Sequence, residues 1–477
     1  MVRAIERKLL RDLSRLRGQV LTIVLVMACG VGSYVTMQTA YRSLSRAQLA
    51  FYEGHRFPDI FAHLKRAPNT LRARLAELPD VRFETRIVED ALLPVPGLSE
   101  PARMAIVSLP DATGAGLARL HLRRGRLPDS QHTDEAVLSE AFGEAHGLEP
   151  GARLSIVMGG ARRSLLVVGV ALSPEYVFAI GGSGMVQDSR RFGILWLPKA
   201  ALEPVYAMDA SFNDVVVKLS NPKRERATID ALDRLLGPYG GQGAYARDRQ
   251  VSHMILKSEL TQLEQYASVT PAIFLGVSAF LLNLVMSRLL NLQRGQIAAL
   301  KALGYYDREI VAHYLKLASL VAILGSVLGV LLGAYLGRGM LDLYRPYFRF
   351  PNIEYVLEAR TVAVAVLICS SFAIGGAWLS VRSVLALSPA EAMLPEAPPN
   401  YGRLGLPRWL RYLVGPSERM VLRELLRRPV RTLLSIVGVA FSVAIMVTAR
   451  FSFDAVDSMM QMSFETARTE DFEVQFR

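Results

Sequence analysis

Few residues in this 477-residue sequence stand at spacings that support covalent chemistry. The seven histidines, His55, His63, His121, His132, His146, His253 and His313, form no H-E-x-x-H or comparable pair, so a zinc-hydrolase pattern is missing. No G-x-x-x-x-G-K-[ST] loop occurs either, and any energy from ATP has to come from another chain. Gly181-Gly-Ser-Gly-Met185 is only a partial match to a serine nucleophile elbow and lacks the strand-turn-helix setting. Cys29 and Cys369 both fall inside apolar runs, which suits neither a disulfide framework nor a metal site. The expectation is a chain that is not an enzyme, with no catalytic residue, no metal and no cofactor of its own.

The residues that do gather are of recognition type. Leu290, Leu292, Ile297, Leu300 and Leu303 recur at spacings that put most of them on one helical face, and Gly304 follows where a helix end favours left-handed backbone. Arg294 and Lys301 give that face a basic rim. Ile297, Leu300 and Leu303 would supply an apolar contact, Arg294 and Lys301 a polar one, and Gly304 the turn. Periodicity alone leaves the occupant open, because such a face also lies on a bilayer surface or packs back on its own chain.

The elements that must hold this segment are two apolar runs, residues 269–286 and 317–336. Each is near the roughly 20 residues that cross about 30 Å of hydrocarbon. Between them Arg288, Arg294, Lys301, Arg308 and Lys316 outnumber Asp307 and Glu309, which makes the loop cytoplasmic by the positive-inside rule. In the second run Gly325, Gly329, Gly333 and Gly337 repeat every four residues, a stripe for close helix packing. Whether that stripe meets another span or a second copy stays open. Apart from Asn283 and scattered Ser and Thr, the spans are nearly free of polar groups, which disfavours an ion path through them.

Composition agrees with a membrane protein: 51% hydrophobic, 21% charged, with a mean hydropathy of +0.26. The net charge of +12 comes with no nucleic-acid module, and many of its arginines flank spans, where they fix orientation and meet lipid head groups. A basic amphipathic stretch precedes a first span, after which the sequence turns water-soluble. Strands are expected at 59–64, 81–88, 153–158, 165–172, 193–197 and 214–219, with helices at 69–78 and 226–236 and a βαβ-like start. The glycine-rich residues 173–193 read as a connecting loop. From about residue 251 a helical pattern runs into the second span as a stalk.

Several of these segments resemble one family. Gln293-Arg-Gly-Gln-Ile-Ala-Ala-Leu-Lys-Ala-Leu-Gly304, set between two spans, resembles the loop of FtsX-like and MacB-like ABC transporter permeases. Leu387-Ser-Pro-Ala-Glu-Ala-Met393 resembles the signature that closes their membrane module, and residues 125–172 resemble the extracytoplasmic core domain of the MacB-like members. The resemblance implies that a separate ABC-type ATPase docks on the loop through Arg294, Ile297, Leu300, Lys301, Leu303 and Gly304. It also implies a place in a bacterial cytoplasmic (inner) membrane. An internal repeat supports a modular chain: Leu422-Arg-Glu-Leu-Leu-Arg-Arg428 matches Leu10-Arg-Asp-Leu-Ser-Arg-Leu16, and Leu434-Ser-Ile-Val-Gly-Val439 matches Leu21-Thr-Ile-Val-Leu-Val26.

The expected fold is an α-helical membrane protein with an inserted extracytoplasmic α+β domain, a module of four transmembrane helices plus the first helix of a second repeat. Residues 1–19 are a cytoplasmic amphipathic helix, 20–38 the first span, and 39–266 the outer domain with its stalk. Residues 267–287 are the second span, 288–316 the coupling loop, 317–337 the third span, 338–360 a short outer loop and 361–380 the fourth span. A cytoplasmic linker with an amphipathic helix follows at 381–431, a fifth span at 432–450 opens the second repeat, and 451–477 begin a second, truncated outer domain. The expected function is a permease subunit that couples ATP hydrolysis on a partner to movement of the outer domain, for export or extraction of lipoprotein, lipid, peptide or drug. The alternative is a non-transporting regulator of a cell-wall hydrolase or sensor. Membrane lipid, a periplasmic adaptor or cargo protein, and a homodimer or intrachain pseudo-dimer are the other expected partners, with no nucleic acid.

Overall fold

The computed structural model describes residues 11–385 apart from 13, 15, 99, 111–115 and 182–186, together with Gly415 and isolated positions between 432 and 458. The first ten residues, the Pro-x-Glu-Ala signature, the 381–431 linker beyond residue 385 and most of the second repeat therefore lie outside the described residues.

In chain order the structure begins with α1 (Arg17–Gly54), β1 (Ile60–Pro68), α2 (Leu71–Ala76), β2 (Val81–Arg86), β3 (Val88–Leu93), β4 (Ala102–Leu109), β5 (His121–Gly125) and β6 (Glu135–Ser139). It continues with α3 (Glu140–His146), β7 (Arg153–Met158), β8 (Ala161–Leu172), β9 (Phe192–Pro198), β10 (Ser211–Leu219), α4 (Glu225–Leu236) and β11 (Tyr245–Ala246). Four helices follow: α5 (Val251–Leu292), α6 (Arg294–Ala302), α7 (Asp307–Tyr344) and α8 (Ala359–Leu385). The chain divides into two units, one of residues 1–39, 265–337 and 357–477, the other of 40–264 and 338–356.

The outer unit holds two sheets. In the first, β1 and β2 both pair antiparallel with β10, so they run parallel to each other with β10 between them. β11 adds to the free edge of β1, giving the order β11-β1-β10-β2. The βαβ start expected from the sequence is thus a split unit, and β10-α4-β11 repeats it, which together make a ferredoxin-like arrangement. Its core joins Ile60, Leu71, Leu75, Phe212, Val215 and Leu232, all buried.

A second sheet of order β5-β8-β6-β9-β4-β3-β7 is inserted between β2 and β10. β7 also pairs with β8, so six of its strands close on themselves, with β5 outside. The twelve-residue β8 permits this, its first half pairing β7 and its second half β6. Arg-Leu-Ser-Ile-Val-Met in β7 alternates as a half-buried strand should, and it sends Leu154, Ile156 and Met158 inward against Met104, Ile106, Leu138, Phe142 and Leu195. Each such side chain, when fully buried, contributes about 1.5–3 kcal/mol. The expected strands form, with ends shifted by a few residues; β3, β4, β5 and β11 were not anticipated.

The membrane unit takes its helices from α1, α5, α7 and α8. Each of the four is long and apolar enough to cross a membrane. The spans expected at 20–38, 267–287, 317–337 and 361–380 fall within them. Their shared core contains Ile23, Met27, Val31, Leu275, Leu282, Leu317, Val321 and Cys369. α7 extends to Tyr344, seven residues past the expected end of the third span, and the following stretch is ordered. Phe348 and Phe350 are buried in the outer unit, Arg349 N–H donates to Val177 O at 2.9 Å, and the Arg123 guanidinium donates to Phe350 O and Pro351 O at 2.8 Å. The expected short outer loop is therefore a strap packed on the outer unit.

Candidate functional site

The segment joining α5 to α7 is built by two helix ends. α5 stops at Leu292; Gln293 leaves helical geometry at φ −98°, ψ 8°, and α6 starts at Arg294. At the far end Gly304 adopts φ +89°, Tyr305 N–H donates to Leu300 O at 3.1 Å, and Gly304 N–H donates to Lys301 O at 3.1 Å. This is a Schellman cap, and it explains why glycine stands there. A Cβ on Gly304 would meet open space, so the requirement is conformational and not steric. α7 then opens with the Glu309 carboxylate accepting from Tyr306 N–H at 3.0 Å, half of a capping box, and with Lys301 paired to Asp307 at 2.9 Å.

The structure separates the apolar residues that the sequence grouped. Ile297 is buried and joins the membrane unit's own core, and Leu300 is partly buried against it. Leu303 is 77% exposed. Arg294 and Lys301 are half-buried. The face that α6 leaves uncovered carries Gly295, Gln296, Ala299 and Ala302, flanked by Leu292, Leu303, Tyr305 and Tyr306. Alternation of leucines cannot reveal this face, because most of its middle positions are small. The corner dipeptide Tyr305-Tyr306, two large rings beside a cap glycine, was the available signal. Arg308 sits over the Tyr306 ring at 5.1 Å.

A buried polar knot fixes the corner, and sequence reasoning missed it. The Gln293 carboxamide donates to Asp12 Oδ1 at 2.9 Å and accepts from the Tyr314 hydroxyl at 2.8 Å. His313 Nε2 lies 3.9 Å from Asp12 Oδ2. All four side chains are buried. A neutral amide that both donates and accepts is suited to joining a carboxylate to a phenol, and here it ties the N-terminal segment, α6 and the first turns of α7 together.

The glycine stripe meets α1. A Cβ added to Gly325, Gly329 or Gly333 would lie 2.7, 2.6 or 2.7 Å from the Cβ of Met27, Val31 or Val35. Thr36 Oγ1 donates to Gly333 O at 3.3 Å across the same contact, and Gly337 is buried as well. Between α5 and α8, Asn283 Nδ2 donates to Gly376 O at 2.9 Å and Ser380 Oγ donates to Asn283 O at 2.8 Å.

The outer unit has its own buried cluster. Arg86, at the end of β2, bonds Asp214 of β10 at 2.7 Å and Glu175 at 2.9 Å, and His63 of β1 reaches Asp214 at 2.6 Å. Burial alone would raise the Asp214 carboxyl, but Arg86 and His63 hold it below its usual value. The Asp214 hydrogen bond raises His63 against the effect of burial. Glu175 belongs to the segment expected as a connecting loop; Pro174–Tyr176 is instead a 3-10 turn, with Glu175 4% exposed. Among the described residues no group of three His, Cys, Asp or Glu is placed to hold a metal ion.

Residues 268–389 match the family described as FtsX-like permease C-terminal. No curated protein matches this sequence significantly. Among solved structures, the extracellular domain of the noncanonic ABC-type transporter YknZ from Gram-positive bacteria is 12% identical, covering 40% of this chain and 98% of that one at a TM-score of 0.28. The periplasmic region of MacB from Actinobacillus actinomycetemcomitans is 14% identical, covering 44% and 96% at 0.28. A domain of a putative permease from Porphyromonas gingivalis is also 14% identical, covering 43% and 99% at 0.27. The corner of two capped helix ends between apolar helices lies inside the matched residues 268–389, and that part of the chain is similar to the FtsX-like permease C-terminal family.

Proposed function

We propose that this chain is the membrane subunit of an ABC transporter whose ATPase, a separate protein, docks on the uncovered face of α6 and the corner after it. The supporting observation is the exposure of Leu303 at 77% and Tyr306 at 65%, with Leu292 at 75% at the other end of α6, inside the family-matched stretch. Large apolar side chains flanking small ones make a surface into which a partner's groove can close. The excess of Arg and Lys around this segment orients it to the cytoplasm, where ATP is hydrolysed.

In this reading the burial of Ile297 and Leu300 has a role of its own. Force applied to Leu303 and the two tyrosines passes into the helix core through those residues and through the Gln293 knot. α5 is one helix from Val251 to Leu292, interrupted only by Pro271, and it carries the displacement along its axis. Work on a cargo then takes place outside the membrane.

The test is co-purification of the full chain with an ABC-type ATPase expressed from the same locus. Leu303→Asp should abolish capture while leaving the thermal midpoint within about 1 °C, since an exposed side chain contributes little to stability. Leu300→Asp should lower both, because Leu300 packs inward. Full capture by Leu303→Asp would remove the docking assignment.

A further inference from the structure

A cavity of about 350 Å³ opens in the outer unit at the ends of β4 and β9, with β2 on its other side. Its size falls in the range of small-molecule sites, roughly 300–1,000 Å³. The wall is predominantly apolar, with Leu109, Leu117, Leu127 and Trp196, and charged groups stand at defined points within it. Arg86 is already held by Asp214 and Glu175, and Glu84 accepts the Leu117 N–H at 2.5 Å. Those groups are engaged within the protein and do not need a ligand.

Lys199 differs. Its side chain is 8% exposed, yet its ammonium has Asn69 Oδ1 at 3.4 Å and Glu203 Oε1 at 3.8 Å, both longer than the roughly 2.7–2.9 Å of a good charge-assisted bond. An ammonium carries three donors, and burying it on such loose contacts is costly. An oxygen anion placed in the cavity would complete its coordination, and the apolar wall would take the rest of that molecule.

We propose that this cavity binds a small amphiphile, with a carboxylate or phosphate head held by Lys199 and an apolar body lying against Leu109, Leu117 and Trp196. The proposal deepens the reading of this chain as a transporter subunit by giving the outer unit a ligand class. Binding here needs neither ATP nor an ATPase, so its failure would leave the docking assignment standing, and the reverse holds as well.

The test uses the full chain in lipid vesicles without nucleotide, labelled with a fatty acid of about ten carbons that carries a photoreactive diazirine and mapped by mass spectrometry. Label is expected on β4, β9 and residues 116–120, displaced by decanoate and by decyl phosphate but not by decyltrimethylammonium. Lys199→Met should raise the decanoate needed for half displacement about tenfold, the equivalent of ~1.4 kcal/mol. Lys199→Gln should do so to a smaller extent. If both variants misfold, the labelling and competition pattern of the unaltered chain decides. Absence of label from those segments would overturn the proposal. So would equal displacement by the cationic amphiphile, and inorganic phosphate matching decanoate would reduce the site to one for free anions.

Discussion

Where α5 meets α8 the membrane unit pairs neutral, partly buried groups: Asn283 bonds Gly376 O, and the Ser287 and Ser380 hydroxyls lie 2.8 Å apart. Where β2 meets β10 the outer unit buries whole charges, Arg86 between Asp214 and Glu175 with His63 behind. The difference lies in how each polar atom finds partners. A helix bundle in hydrocarbon has spare backbone carbonyls at close crossings, which a neutral amide satisfies at modest cost. Neighbouring strands of one sheet have few spare backbone groups, since the ladder uses them, so an ion needs other ions with full coordination. Buried charge is therefore the more exposed of the two designs to a single substitution.

Arg86→Met should accordingly give the largest effect. It leaves Asp214 and Glu175 buried without their cation, a change that typically costs about 3–5 kcal/mol. Hydrogen exchange of β2 and β10 in the full chain would show it as accelerated opening. If Glu175→Gln and Asp214→Asn are added, much of the loss should return, because no buried charge is left unpaired. A single-variant loss below about 1 kcal/mol would break the comparison, since that is what a neutral pair costs.

Steric closeness in the membrane unit gives the next effect. Gly329→Leu would push a Cβ to 2.6 Å from Val31 Cβ and 2.9 Å from Ala28 O, atoms of a packed helix that cannot yield cheaply. The expected loss is about 1–3 kcal/mol, read as a lower thermal midpoint in detergent. Gly339→Ala on the same helix is the control: nothing lies within 4 Å of its added Cβ, and it should be neutral or stabilising by up to about 1 kcal/mol. Gln293→Leu sits beside these in size. It removes one hydrogen-bond partner from the Asp12 carboxylate and one from the Tyr314 hydroxyl, at about 1–3 kcal/mol, and should expose the N-terminal segment to protease before the rest of the unit.

Much of this architecture was legible because its signals are periodic. Apolar runs of spanning length located α1, α5, α7 and α8, and glycines every four residues marked the α7 stripe that packs on α1. The Gly304 cap was readable for the same reason, being local. Contacts across long sequence separations were not. Glu175 looked like a loop residue beside a glycine-rich stretch, and the cation its carboxylate pairs with, Arg86, lies on β2, 89 residues earlier. Gln293 looked like an ordinary polar residue at a helix end, while its partner Asp12 lies 281 residues away. In α6 the leucine pattern marks an apolar side equally well whether its cover is a partner or the chain itself, and the structure buries Ile297 while leaving Leu303 exposed. Strands β3 and β5 were missed where charged residues such as Glu89, Asp90, Arg123 and Arg124 interrupt the alternation.

The smallest expected effect sharpens the comparison by its sign. The folded-state pKa of His63 is raised, so its contribution to stability is complete below the unfolded value of about 6.5 and fades as the pH climbs through the folded value. Asp214 behaves in the opposite sense: its folded carboxyl is depressed, so its contribution is present above the unfolded value and disappears only as the pH falls through the folded one. Between those limits the outer unit should be at its most stable, with separate limbs on the acid and alkaline sides. Because the His63 side chain is 40% exposed, solvent weakens its share, and the alkaline limb should be the shallower. His63→Gln should flatten that limb in thermal midpoints taken from about pH 5 to about pH 9, and leave the acid limb in place. The neutral contacts of the membrane unit predict no such limb for the α5–α8 crossing. If hydrogen exchange there followed the same alkaline profile as β10, the two interiors would not be using different chemistry, and the distinction drawn between them would fail.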